Sequence, residues 1–108
     1  MFVVTTDEIA GYRITRSHGH VLGTIVRMPS IGDEFGNIGS TLGGGEIAHY
    51  SRLFWENRQE AITRMWADAE QRGANAVVGM RFDSSRVDKY GEVCAFGTAV
   101  TVEPIESA

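Results

Sequence analysis

Lysine is almost missing from this chain of 108 residues. Lys89 is the single example, and Lys and Arg together number 10 against 14 Asp and Glu, a formal net charge of −4. With no run of Lys or Arg there is no basic patch to neutralise a phosphate backbone, which sets nucleic acid aside as a partner. Cysteine occurs once, at Cys94. A lone thiol closes no disulfide within the chain, so nothing ties folding to an oxidising compartment. No stretch approaches the ~18 apolar residues of a membrane-spanning helix, so no membrane is expected among the partners. Met1 to Glu8 has neither the basic start nor the apolar core of a secretory leader. The expected location is cytoplasmic.

What the chain has in quantity is glycine and apolar side chains. Its 13 glycines sit in a composition that is 43% hydrophobic and 22% charged, which is globular and not disordered. At this length the chain is one domain, residues 1–108, burying roughly 60–70% of its unfolded surface. Residues 2–5 are apolar and β-branched and read as a strand. Residues 12–28 carry Ile14, Val21, Leu22, Ile25 and Val26 among Thr and Arg, and also read as strand. Within them, Ser17-His18-Gly19-His20 is either a turn between two strands or a bulge inside one. Pro29 ends the segment. Residues 29–45 form a glycine-rich loop whose Ile31, Phe35, Ile38 and Leu42 offer apolar packing. Residues 46–72 contain no Gly or Pro and predict one helix about 40 Å long, stopped by Gly73. Ala76 to Asp83 reads as a strand, residues 84–91 as a polar hairpin loop and residues 92–102 as a final strand. The expected fold is α+β, one long helix packed on an antiparallel sheet in two layers.

Two faces ask for a partner. At 100° per residue, Ile47, Tyr50, Leu53, Phe54, Ala61, Met65 and Ala69 form an apolar stripe that is the expected core face. Trp55, Ile62 and Trp66 form a second stripe beside it. Together they exceed the ~100° arc that a helix needs to cover its own sheet. The last strand alternates Cys94, Phe96, Thr98, Val100 and Val102 on one face with Val93, Ala95, Gly97, Ala99 and Thr101 on the other. The small face admits a close helix. The bulkier face has no second long helix to cover it, and the wet face of an antiparallel sheet is usually polar. Self-association into a homo-oligomer is the economical answer.

Candidate chemistry is sparse. His18-x-His20 places two imidazoles two residues apart, on one face of a regular strand, where they are positioned to chelate a transition metal. A metal site needs three or four protein ligands, and His49 and Cys94 stand far off in sequence, so a complete site would be shared between subunits. Gly43-Gly44-Gly45 precedes the helix and offers backbone N–H groups to an anion. Glu46 and the Asp33-Glu34 pair lie nearby, and neither a Walker nor a Rossmann glycine pattern is present. Arg58 projects into the apolar arc, where a buried guanidinium requires a partner: a structural ion pair, within the chain or across a subunit boundary, is expected, and anchoring an anionic ligand beside Gly43-Gly44-Gly45 is the sharper alternative. Cys94 falls on an apolar strand face and reads as a small hydrophobe. No Ser/His/Asp or Cys/His set stands out, and the expectation leans away from an enzyme.

One run is more specific: Gly73-Ala74-Asn75-Ala76-Val77-Val78-Gly79, ending the helix and opening a strand, after Tyr50 and Arg58-x-x-Ala61 and before Gly97-Thr98-Ala99-Val100. Upstream, Gly11-Tyr12-Arg13-Ile14 precedes Gly19-His20-Val21-Leu22-Gly23. This order resembles the YbjQ-like family of small bacterial proteins over residues 2–102, a family labelled as heavy-metal-binding. The resemblance implies a one-helix α+β subunit assembled as a homopentamer, with no established activity and no ligand set that transfers to His18, His20 or Cys94. The Gly43-Gly44-Gly45 loop departs from the family's Gly-Gly-Arg-Ser form by lacking the Arg. Gly79 and Gly97 are expected to clear side chains where strands meet the helix. The leading expectation is a homo-oligomeric binding or structural module with an unassigned small ligand. The alternative is a protein binding a divalent transition metal between subunits.

Overall fold

The computed structural model describes residues 2–27, 45–87 and 90–106. Along the chain run β1 (Phe2–Val3), β2 (Tyr12–Arg27), α1 (Gly45–Gln71), β3 (Ala76–Val87) and β4 (Tyr90–Pro104). The sheet order is β1-β3-β4-β2. β4 pairs antiparallel with both β2 and β3, whereas β1 pairs parallel with the start of β3. The sheet is therefore mixed, not wholly antiparallel. A strand of two residues is too short for its direction to show in the sequence pattern.

The expected helix is present within a residue of its bounds. Gly73 closes it at φ +86°. Gly73 N–H donates to Glu70 O, and Ala74 N–H to Ala69 O at 3.1 Å, the paired bonds of a Schellman cap. The helix is seated backbone on backbone. A Cβ on Gly23 of β2 would stand 2.1 Å from Ala61 O and 2.3 Å from Met65 N. Around that seat Val21, Ile25, Ala61, Met65, Ala69, Val77, Ala95 and Ala99 are buried, with Ile62 and Trp66 partly buried against them. Full burial of a side chain such as Met65 or Val21 contributes roughly 1.5–3 kcal/mol. Ile62 and Trp66, read from the sequence as surplus, therefore flank the core. Phe54, read as core, is 55% exposed. Arg27 at the end of β2 meets Glu60, so the turns of α1 before Glu60 run on past β2.

Residues 12–27 make one strand, which settles the alternative left open at Ser17-His18-Gly19-His20. Its register against β4 shifts between Ile14 and Arg16 and again between Ser17 and Gly19, and Gly19 adopts φ +88°. A third register shift lies in β3 between Val78 and Arg81. There Gly79, at φ +63°, lets its N–H turn outward to Thr6 O at 2.8 Å while Met80 N–H reaches Val4 O at 3.0 Å. The bulge thus docks the N-terminal segment on the sheet face away from the helix. Ala76, Val78, Val100 and Val102 are buried there beneath Phe2, Val4, Ile9 and Tyr12. The bulkier face of β4, expected to be bare, is covered by the chain's own N-terminus at this end.

Two further expectations are corrected. Of the expected loop over residues 84–91, residues 84–87 and 90–91 are strand: β3 continues to Val87 and β4 begins at Tyr90, with Ser84 opposite Val93 and Arg86 opposite Gly91. Backbone pairing extends this hairpin through polar residues whose side chains bury little, so no apolar alternation announced it. The crowding at Gly97 comes from β3, not from the helix. A Cβ there would meet Val77 Cγ1 at 2.7 Å and Val78 O at 3.0 Å. Gly79 has open space, with Asp7 Oδ1 at 3.7 Å, and its requirement is the positive φ.

Candidate functional site

The bulge at Gly19 decides the fate of the histidine pair. β4 is regular, so Thr101 shares the helix-side face with Ala99, and Thr98 lies on the opposite face with Val100. His18 Nε2 shares a hydrogen bond of 2.7 Å with Thr101 Oγ1, whereas His20 stands opposite Thr98. The inserted residue thus sends the two imidazoles to opposite sides of the sheet, where a regular strand would have set them together. Arg72 fixes the bulge from the helix, donating to His18 O at 3.3 Å. Among the described residues no group of three His, Cys, Asp or Glu side chains is placed to hold a metal ion.

Arg58 is exposed, not buried. Its guanidinium carbon lies 5.6 Å from the centroid of the Phe82 ring, a cation–π contact that answers the need for a partner without an acid. Cys94 is partly buried and accepts a hydrogen bond from Thr24 Oγ1 at 3.5 Å. Gly45 is the first residue of α1. Gly43, Gly44 and the Asp33-Glu34 pair lie outside the described residues. His18, His20, Arg58 and Cys94 are spread over two faces of the sheet and do not converge. A shallow recess lined by Phe2, Trp66, Glu70, Ala74 and Asn75 includes none of the predicted residues.

The surface that does gather is apolar. On the face away from the helix, at the hairpin end, registers align three rows: Arg81, Phe96 and Leu22; Asp83, Cys94 and Thr24; Ser85, Glu92 and Val26. Leu22 is 50% and Val26 59% exposed. Arg81 is drawn back to the N-terminal segment, donating to Thr5 O at 2.7 Å. Among the described residues Asp83 and Glu92 have no hydrogen bond or ion pair. On the other layer, Trp55 is 63% exposed on the overhanging part of α1, with Arg52 and Arg58 one turn to either side. The strand that carries Leu22, Thr24 and Val26 was read from its apolar and β-branched residues, without an assignment of its faces. Their grouping with Phe96, Asp83 and Glu92 depends on registers that the irregularities in β2 and β3 reset.

Among the described residues the fold is one long helix on a curled mixed sheet. A crystal structure of a protein of unknown function, of the DUF74 family, from Pediococcus pentosaceus shares it, with TM-score 0.66, 21% identity and coverage of 95% of this chain and 98% of that one. The chain belongs to the YbjQ family, whose model, described as "Putative heavy-metal-binding", matches residues 1–103. Relatives include the UPF0145 protein YjfJ of Lactococcus lactis, 45% identical over 97% of both chains. A UPF0145 protein of Mycobacteroides abscessus is 43% identical over 98% of this chain and 100% of its own. One from Methanocella arvoryzae is 45% identical over 100% of this chain and 91% of its own.

Proposed function

We propose that the chain acts as one subunit of a homo-oligomeric binding or structural module, assembled as a ring of five. The apolar surface left bare carries this reading: Leu22, Val26 and Phe96 on one layer and Trp55 on the other. Exposed apolar groups in such patches mark association surfaces. The shape supports it. The Cα radius of gyration is 17.9 Å, against about 13 Å for a compact domain of this length, because part of α1 extends beyond the strand it packs on. The number five rests on the family resemblance. Native mass spectrometry of the purified protein tests the reading: a single species of five chains is expected, and a monomer of 11.8 kDa at micromolar concentration refutes assembly.

The family's description favours a second reading, a divalent transition metal held between subunits. The described residues of one subunit do not provide a ligand set, and in this reading side chains from several copies complete the site. His20, exposed on the face away from the helix, and His18 are the candidates from this chain. The same spectra recorded with zinc, copper and nickel decide it. A fixed, saturable metal count per assembly supports the reading, and a content well below one metal per subunit refutes it.

A further inference from the structure

The two bare patches lie on opposite layers of one subunit. Leu22, Val26 and Phe96 are on the sheet face away from α1, and Trp55 is on α1 itself. They therefore do not cover each other within a chain, and each has what the other lacks. The sheet patch needs a helix above it, and the overhanging helix needs a sheet below it. Their charges are also opposite. Asp83 and Glu92 lie among the sheet patch and are unpaired among the described residues, as is Arg52 beside Trp55; Arg58, on the other side of Trp55, lies over the Phe82 ring and has no acidic partner among the described residues.

We infer that the overhanging part of α1 of one subunit docks on the hairpin end of the sheet of the next. Trp55 enters between Phe96, Leu22 and Val26, and Arg52 and Arg58 approach Asp83 and Glu92. The inference rests on the assembly reading above and names the contact that makes it. The occupant is a second copy of this chain because the matching patch, in apolar character and in charge, is on the chain itself. Such a contact is head-to-tail: each subunit gives a helix on one side and receives one on the other. Closed by rotation, it makes a ring. It repeats between chains the helix-on-sheet packing that Gly23 and Ala61 make within one.

Complementation between broken copies tests the direction of the contact. Trp55→Glu breaks the helix side, and the double substitution Leu22→Glu with Val26→Glu breaks the sheet side. All three positions are exposed, so both variants should keep the wild-type circular dichroism. Each alone is expected to be monomeric in native mass spectra. Mixed in equal amounts, they should form a 1:1 pair and nothing larger, since one intact helix meets one intact sheet and the remaining surfaces are both broken. Charge reversal gives an independent arm. Arg52→Glu should weaken self-association about tenfold, roughly 1.4 kcal/mol, and Asp83→Arg in the mixed partner should restore it. A monomeric wild type refutes the assembly reading itself. An assembled wild type whose mass neither variant changes, or variants that become monomeric and do not pair on mixing, refutes this contact and leaves the assembly reading standing.

Discussion

Gly23→Ala is the substitution whose outcome the structure fixes most tightly. The added Cβ would stand 2.1 Å from Ala61 O and 2.3 Å from Met65 N, where ordinary contact begins near 3.4 Å. Both neighbours are helix backbone, and neither rotates away. The helix must retreat as a body by on the order of 1 Å, a gap that forfeits a quarter to a half of the dispersion energy at each contact along the seam. Val21, Ile25, Met65 and Ala61 all lie on that seam. Overpacking a core costs about 1–3 kcal/mol, and a clash with rigid backbone belongs at the upper end. At about 2 kcal/mol per molar urea, a loss of about 3 kcal/mol lowers the unfolding midpoint by about 1.5 M. Urea titration followed by far-ultraviolet circular dichroism reads this, at one protein concentration, because association would otherwise enter the midpoint. Gly91→Ala is the control: its nearest neighbour, Arg27 O, lies at 4.0 Å, and a change within about 0.5 kcal/mol is expected. If Gly23→Ala also stays within that margin, the helix does not rest on Gly23 and the account of the core is wrong.

Much of the fold was legible because burial writes a pattern. Ala61, Met65 and Ala69 recur at helical spacing and are all buried. The small face of β4 was read as the helix-side face, and Ala95, Gly97 and Ala99 are buried there. Phe54 shows where such reading stops. It has the right azimuth for the core face, but azimuth does not tell how far the sheet reaches along the helix. The polar ends of β3 and β4 failed for the opposite reason. A ladder held by backbone hydrogen bonds through Ser84, Ser85 and Arg86 leaves no mark in the side chains.

The candidate site was less legible, and the bulges are the physical cause. A strand argument assigns faces by parity, and each extra residue reverses parity beyond it. His18 and His20 looked paired because they are two apart; with Gly19 at φ +88° and opposite Ala99, His18 is the extra residue in the ladder and the pairing is lost. The composite patch of Leu22, Phe96, Asp83 and Glu92 is assembled from three strands after such resets in β2 and in β3. Gly23 was noticed only as part of a family motif. Nothing local marks a glycine whose constraint is a helix arriving from some 40 residues downstream.

Substitutions at three other positions probe separate parts of the fold. Gly79→Ala forces an L side chain to φ +63° in open space, so it should cost about 1–2 kcal/mol through backbone strain; a cost near zero in urea titration would show that the bulge relaxes freely. Glu60 bridges Arg27 and Arg64, but its side chain is 41% exposed, so Glu60→Ala should cost less than about 1 kcal/mol and the loss should shrink further in salt. Asn75 has a stronger claim. β3 begins at Ala76, opposite Val100, so Val102 has no strand residue beside it on that side. Asn75 takes the place of one: its Nδ2 donates to Val102 O at 2.9 Å and its Oδ1 accepts from Val102 N–H at 2.8 Å, as a backbone amide would. Val102 is only 5% exposed, so water does not readily replace these bonds. Asn75→Ala should cost about 1–3 kcal/mol, with faster hydrogen exchange at the Val102 amide. Asn75→Asp keeps an acceptor for Val102 N–H but turns a carboxylate oxygen toward Val102 O, so it should retain amide protection while still losing stability. An Asn75→Ala protein with unchanged exchange at Val102 would mean that the ladder does not end on this side chain.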